Sequence, residues 1–438
     1  MNIANQISAL GLTSSEDRIV LGNVSGSFFK NEELTEGQLN HHVHIVGASG
    51  FGKTVLLSHI IKDRIVKNKG LLFIDLKGDI ETIQKFSKYA EDVNRVDDLM
   101  VFSLTDEKIS VPYNLVQEGT ATQLRDKIML SLNWSEEFYK NQSASFLLKL
   151  LIGLCWLRDN TNFVFTLSTI LKVTESLEFL EALALRIPEE SAKEKQALEN
   201  CYNFLNSNEN YKSLQGLRTQ IESLVLSDFG NLISSPINGI NLFDAIKNNK
   251  LIFIFLDSRR YGETAKAVGK FILQDLKMVS ARIDAEVQKF ERKSFSVIID
   301  EFADLAQEDF IGFLDRARSS RISIVVAHQE ICDLLRISPE FAGRLMGNTS
   351  TLYAFLQKRP ESAEMISSIA GTKKVWKETL RSEKLLFFDM PTGDKSLREV
   401  EEFNIHPNLI KSLGVGKCVC VKKYPKARAY LVKVNQEL

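Results

Sequence analysis

Residues Gly47-Ala48-Ser49-Gly50-Phe51-Gly52-Lys53-Thr54 satisfy the pattern G-x-x-x-x-G-K-[ST] at each fixed position. The chemistry this pattern serves is phosphate binding. Glycines let the backbone curl until successive N–H groups face phosphate oxygens, and a helix starting at the lysine adds the positive end of its dipole. Lys53 is expected to reach the β- and γ-phosphates of ATP or a close relative, and the Thr54 hydroxyl to help hold Mg²⁺. The loop lies between the apolar runs "HVHIV" and "VLLSHII", as a strand–loop–helix unit requires.

Such a loop needs an acid at the end of a neighbouring strand. The stretch "FSVIIDEFADL" (295–305) supplies it, an apolar run ending in Asp300 and Glu301. Asp300 is placed to bind Mg²⁺ through water, and Glu301 to polarise the attacking water as general base. These acids follow Lys53 by 247 residues, far more than a compact kinase-sized or small GTPase domain needs. Beyond them, "RARSSRISIVVAHQ" (316–329) gives a basic turn with Arg316, Arg318 and Arg321, an apolar strand, then Gln329. A polar residue ending that strand suits a γ-phosphate sensor. Gln329 fits this role better than His328, a plain loop amide being the other reading. An arginine just before the strand could act as a finger on a neighbour's nucleotide, or be a solvated surface charge.

The elements that must position these groups are legible as short, nearly continuous apolar runs at 42–47, 70–75, 99–104, 251–257, 295–300, 322–327 and 350–356. Strands buried on both faces read this way, and helical patterns such as 53–68 and 263–283 lie between them. The order strand–helix–strand indicates an α/β doubly wound domain with a mostly parallel sheet. Residues 118–228 differ, being poor in glycine and helical in spacing throughout, and read as an all-α insertion. The stretch 384–438, with "LLFFDMPTGD" and "GVGKCVCVKKYPKARAYLVKV", predicts two or three further strands. The expected division is 1–117 with 229–438 as the nucleotide-binding motor domain, and 118–228 as the helical insert.

Composition narrows the class. Over 438 residues, 44% are hydrophobic and 25% charged, as in an ordinary soluble globular protein. The net charge of −1 excludes a histone-like, charge-driven nucleic-acid binder but leaves room for a local basic surface. The five cysteines show no metal-type spacing and read as reduced thiols, Cys418 and Cys420 sharing one face of a strand. The first thirty residues carry scattered charges unlike a signal peptide. The most apolar stretch, 145–157, contains Lys149 and falls short of the roughly 20 residues a membrane span needs. A cytoplasmic protein, or one peripheral at an inner membrane through a partner, is expected.

The order of motifs resembles the conjugative coupling ATPases of TraD/TraG type, in the HerA/FtsK branch of RecA-like ring motors. The resemblance runs from about residue 40 to 435. It is carried by GASGFGKT, "FIDLKGD" (73–79), "VPYNLVQEGTATQLRDKIMLSLNWSEEFYKNQSASFLLKLL" (111–151), "LIFIFLDSRRYGETAKAVGKFILQDLK" (251–277), "VIIDEFADL" and "ARSSRISIVVAHQ". Two later stretches, "NTSTLYAFLQKRPESAEMISSIAGT" (348–372) and "HPNLIKSLGVGKCVCV" (406–421), extend it. It implies a RecA-like P-loop fold, a homo-hexameric ring, ATP and Mg²⁺, and transport of DNA with its relaxase toward type IV secretion-channel proteins. Lys53, Thr54, Asp300, Glu301, Arg318 and Gln329 match the family's motif positions. Asp75 and Lys77 match its strand-end turn, which a structural role explains as well. Unlike typical members, this sequence shows no membrane-spanning helix before the loop. Two other functions stay open: a soluble HerA-like translocase in DNA processing or defence, and an adaptor in which ATP mainly supports assembly. Basic segments at 289–293, 373–381 and 422–428 are candidate DNA contacts or solvated faces.

Overall fold

In chain order the strands are β1 (Arg18–Val24), β2 (Asn31–Thr35), β3 (Val43–Val46), β4 (Gly70–Asp75), β5 (Leu99–Ser103), β6 (Leu251–Phe255) and β7 (Phe295–Ile299). They continue with β8 (Ile322–His328), β9 (Thr351–Ala354), β10 (Thr372–Leu385), β11 (Phe388–Phe403), β12 (Lys417–Lys422) and β13 (Arg428–Val434). The computed structural model describes residues 18–26, 30–237, 239–385 and 388–436, with backbone alone for 378–385 and 388–396. Residues 1–17 and 27–29 of the chain start discussed above, and residues 386–387 of "LLFFDMPTGD", lie outside the described residues. Two compact units divide the chain, Met1–Ile60 with Val325–Leu438, and Ile61–Ile324.

In the first unit the strand order is β2-β1-β13-β12-β9-β3, followed by the end of β8. β3 runs parallel to β9 and to Val325–His328 of β8, whereas the β9–β12, β12–β13, β13–β1 and β1–β2 pairs are antiparallel. β10 and β11 form a separate two-stranded antiparallel ribbon. The sequence expectation did not include β1 and β2. Their register shifts between Val20 and Gly22, which breaks the apolar alternation that marks a half-buried strand. They nevertheless close over a polar centre. Glu32 is 1% exposed, and its Oε1 accepts hydrogen bonds from the Tyr353 hydroxyl (2.6 Å) and Lys422 Nζ (2.9 Å). Its Oε2 accepts from the Tyr430 hydroxyl at 2.6 Å. Cys418 and Cys420 are buried here as free thiols, and burial pushes both pKa values above the ordinary thiol range.

The second unit contains the parallel strands β7-β4-β6-β5. β4, β6 and β7 are buried at every position, which explains their unbroken apolar runs. Helices fill 121–131, 137–160, 167–175, 177–184, 192–206, 208–213, 215–225 and 230–233. This all-helical span is tied to the long helix Ser258–Glu286 through buried charge. Lys127, 1% exposed, donates to Asp275 Oδ1 at 2.9 Å, and the Tyr113 hydroxyl donates to Asp275 Oδ2 at 2.7 Å. The apolar stretch 145–157 lies within helix Glu137–Asn160, which buries Phe146, Leu147, Leu150, Leu151, Leu154 and Leu157. Among the described residues, no helix is long and apolar enough to cross a membrane.

The Glu32 centre gives a stability test. Lys422→Met leaves a buried carboxylate with two hydroxyl donors and no cation, and should cost about 3 kcal/mol or more in denaturant unfolding. Adding Glu32→Gln should recover part of that loss. A single mutant within about 0.5 kcal/mol of wild type would show the pair to be unimportant.

Candidate functional site

The glycine loop is positioned by strand ends on both sides of β3. The Gly47 N–H donates to His328 O (3.1 Å), and the Ala48 N–H donates to Leu356 O (2.9 Å). Gly50 and Gly52 have φ of +81° and +115°, which L side chains rarely adopt, so the curl expected of the loop is present in the backbone. Gly47 also has no room for a side chain, since a Cβ there would lie 2.4 Å from Phe355 Cβ. Helix Lys53–Val66 begins directly after the loop. Lys53 is 4% exposed and donates to Gly47 O at 2.6 Å, so its ammonium is turned back over the loop. Thr54 lies exposed in the first turn of that helix. Curled backbone, lysine and helix start suit a triphosphate, and Thr54 offers a hydroxyl for its Mg²⁺.

A feature missed in the sequence lies beneath this loop. His44 of β3 and His328 of β8 are both fully buried, with Nε2 atoms 2.6 Å apart. His328 Nδ1 is 3.0 Å from Glu330 O, an acceptor, so Nδ1 carries the proton and His328 Nε2 accepts from His44 Nε2–H. His44 Nδ1 then has no proton, which agrees with its lack of any hydrogen-bond partner. Burial, then His328 and Lys423, hold the His44 pKa well below the ordinary histidine value. The neutral pair joins the strand before the loop to the strand before Gln329. Gln329 itself is exposed, and its carbonyl accepts from Gln357 Nε2 at 3.1 Å.

In the second unit, Asp300 and Glu301 follow the last residue of β7 directly. Asp300 is 2% exposed, its N–H donates to Ile74 O (2.9 Å), and its Oδ1 accepts the Glu301 N–H (2.9 Å). Glu301 has φ of +53°, a left-handed conformation at the strand end. Lys77 Nζ donates to Asp300 Oδ2 at 2.8 Å and lies 3.1 Å from Glu301 Oε1. Burial disfavours the Lys77 ammonium, but Asp300 and then Glu301 outweigh it and hold its pKa above the ordinary lysine value.

The turn after β4 delivers Lys77. Asp75 accepts the N–H groups of Lys77 (3.0 Å), Gly78 (3.1 Å) and Asp79 (3.3 Å). Gly78 has φ of +69°, and a Cβ there would meet Asp257 Cβ at 2.5 Å. Desolvation, helped by the Asp300 charge, raises the Asp75 pKa to about 6, the Lys77 and Asp79 N–H bonds and the Lys77 charge only partly opposing it. Arg318 is exposed at the end of helix Phe310–Ala317, where its carbonyl accepts the Arg321 N–H at 3.2 Å. Among the described residues no group of three or more His, Cys, Asp or Glu side chains could hold a metal ion. Mg²⁺ bound with nucleotide phosphates needs only one or two protein ligands.

Comparisons with known proteins agree with one another. Residues 294–402 match the family model described as the TraM recognition site of TraD and TraG. The type 4 coupling protein DotL of Legionella pneumophila is 23% identical over 412 residues, covering 80% of this chain and 52% of DotL. An uncharacterized protein of Mycoplasma pneumoniae is 40% identical over 72 residues, 16% of this chain and 60% of that protein. The chain thus spans about half of DotL and three-fifths of the Mycoplasma protein. Among solved structures, the unbound conjugative coupling protein TrwBΔN70 aligns with TM-score 0.67 at 15% identity, over 99% of this chain and 92% of that one. TrwB in complex with ADP and Mg²⁺ aligns with TM-score 0.65 at 16% identity, over 99% and 92%. VirB4 of Thermoanaerobacter pseudethanolicus aligns with TM-score 0.57 at 12% identity, over 97% and 98%. The fold is α/β of the RecA-like P-loop kind, and the chain is similar to type IV coupling proteins.

Asp75 gives a pH test. Its folded pKa, about 6, lies above the unfolded value, so its stabilising contribution is full below about pH 4 and lost as pH rises through 6. Relative to Asp75→Asn, wild type should lose up to about 3 kcal/mol between pH 4 and pH 7 in paired urea titrations. A constant offset between the two proteins would contradict the raised value.

Proposed function

We propose that this chain is the motor portion of a type IV coupling protein, hydrolysing ATP to move DNA or a nucleoprotein toward a secretion channel. One observation carries the reading. A phosphate-type loop with Lys53 turned over it occurs in the same chain as an acidic strand end whose charges are held by Lys77. The coupling proteins to which the chain is similar supply the transport role, and TrwB with ADP and Mg²⁺ supports the cofactor assignment.

The residues divide the work. Backbone N–H groups of Gly47–Thr54 and the Lys53 ammonium bind the β- and γ-phosphates and fix their orientation. Thr54 would offer Mg²⁺ its hydroxyl, and Asp300 would bind Mg²⁺ through water; the ion would supply charge neutralisation at the transferred phosphoryl group. Glu301 takes the proton of the attacking water. Gln329 senses the γ-phosphate, and Arg318 serves a neighbouring subunit of a homo-hexamer as a finger. The span 118–228 forms a lobe of its own that meets protein partners, among them a relaxase or channel component. DNA is held by phosphate contacts, so its binding weakens as salt rises. The matches to coupling proteins do not favour a repair translocase or an ATP-assembled adaptor.

Glu301→Gln separates binding from turnover. The variant should bind ATP and Mg²⁺ with near wild-type affinity, while its hydrolysis rate falls about 10²–10⁴-fold. Equilibrium binding of a fluorescent ATP analogue, set beside phosphate release, checks both halves. Turnover close to wild type would remove Glu301 from the role of base.

A further inference from the structure

We propose that Lys77 is a built-in counter-cation that competes with Mg²⁺ for the Asp300–Glu301 pair. This rests on the nucleotide reading above and adds to it what the metal must overcome. Asp300 Oδ1 accepts the Glu301 N–H at 2.9 Å, and Lys77 Nζ donates to Oδ2 at 2.8 Å. The same ammonium lies 3.1 Å from Glu301 Oε1, so one group pairs with both carboxylates proposed for metal binding and for proton abstraction.

The surroundings let this cation leave without unfolding. Asp300 and Glu301 side chains are 3% and 16% exposed, whereas Lys77 is 32% exposed and so has a path to solvent. Its backbone is fixed separately. The Lys77 N–H donates to Asp75 Oδ1 (3.0 Å), and its carbonyl accepts from Arg259 Nη2 (3.1 Å). The four-carbon stem can therefore swing while the turn stays in place. An ammonium and a divalent ion held a few ångströms apart on the same carboxylates repel each other, so each weakens the other's binding. In the metal-free state Lys77 also stays paired with Glu301. Lys77 is thus a positioning residue, acting on turnover through the acidic pair.

The test uses the full chain and measures binding, not turnover. A fluorescent ATP analogue is titrated with Mg²⁺, and Mn²⁺ binding without nucleotide is followed by electron paramagnetic resonance, for wild type, Lys77→Met, Lys77→Gln and Lys77→Arg. Removing the charge should lower the half-saturating Mg²⁺ and the Mn²⁺ dissociation constant about tenfold. Lys77→Arg should stay near wild type, and analogue binding in EDTA should not change. If Lys77→Met fails to fold, Lys77→Gln carries the comparison. Unchanged or weaker metal binding in the charge-free variants would overturn the proposal. Wild type that binds no analogue at any Mg²⁺ concentration would instead overturn the nucleotide reading itself.

Discussion

A carboxylate at the end of a buried parallel strand must have its charge answered, and much of the second unit is arranged around that requirement. Asp300 is 2% exposed, and Lys77 answers it. To hold Lys77 there, the turn after β4 is knotted by three N–H bonds to Asp75, and Gly78 is pressed against Asp257 where no side chain fits. Asp257 in turn caps helix Ser258–Glu286, and that helix carries Asp275, to which Lys127 and Tyr113 bind the helical span. Hydrogen bonds and close packing therefore link the acidic pair to the start of this helix, and the helix to the insert. Coupling between the two, wherever it arises, has a physical route.

The first unit meets a different requirement, a backbone curl that exposes N–H groups without losing the fold. Two glycines at positive φ make the curl, and Gly47 lets Phe355 pack where a side chain would collide. The buried His44–His328 pair fastens the strands that lead into the loop and into Gln329. Farther along the sheet, Glu32 plays the part of a polar keystone for β1, β2, β12, β13 and β9. Buried charge is used in both units at sites where geometry must be kept, Glu32 being answered by two hydroxyls and an ammonium, and Asp300 by an ammonium and an amide.

What was legible in the sequence, and what was not, follows from how far apart partners lie. β4, β6, β7 and β8 could be read directly because strands covered on both faces carry unbroken apolar runs. Asp300 and Glu301 stood out because acids directly follow such a run. The glycine loop was legible because phosphate binding constrains residue type at each fixed position. Lys77 looked like a turn residue, since its partners stand 223 residues away and no local pattern reports them. β1 and β2 escaped notice for the same reason. Their single strong signal is the buried Glu32, whose partners Tyr353, Lys422 and Tyr430 are hundreds of residues downstream. Nothing in the sequence paired His44 with His328, 284 residues apart; the register of β3 on β8 brings them together.

The central claim is that ATP turnover in this chain is coupled to DNA. Its most direct measure is the steady-state ATPase rate with and without single- or double-stranded DNA, on fractions separated by size and at two salt concentrations. The account predicts a rate that rises with DNA in the assembled fraction, with the stimulation falling as salt increases. An assembled fraction whose rate ignores both kinds of DNA at every salt concentration would contradict it.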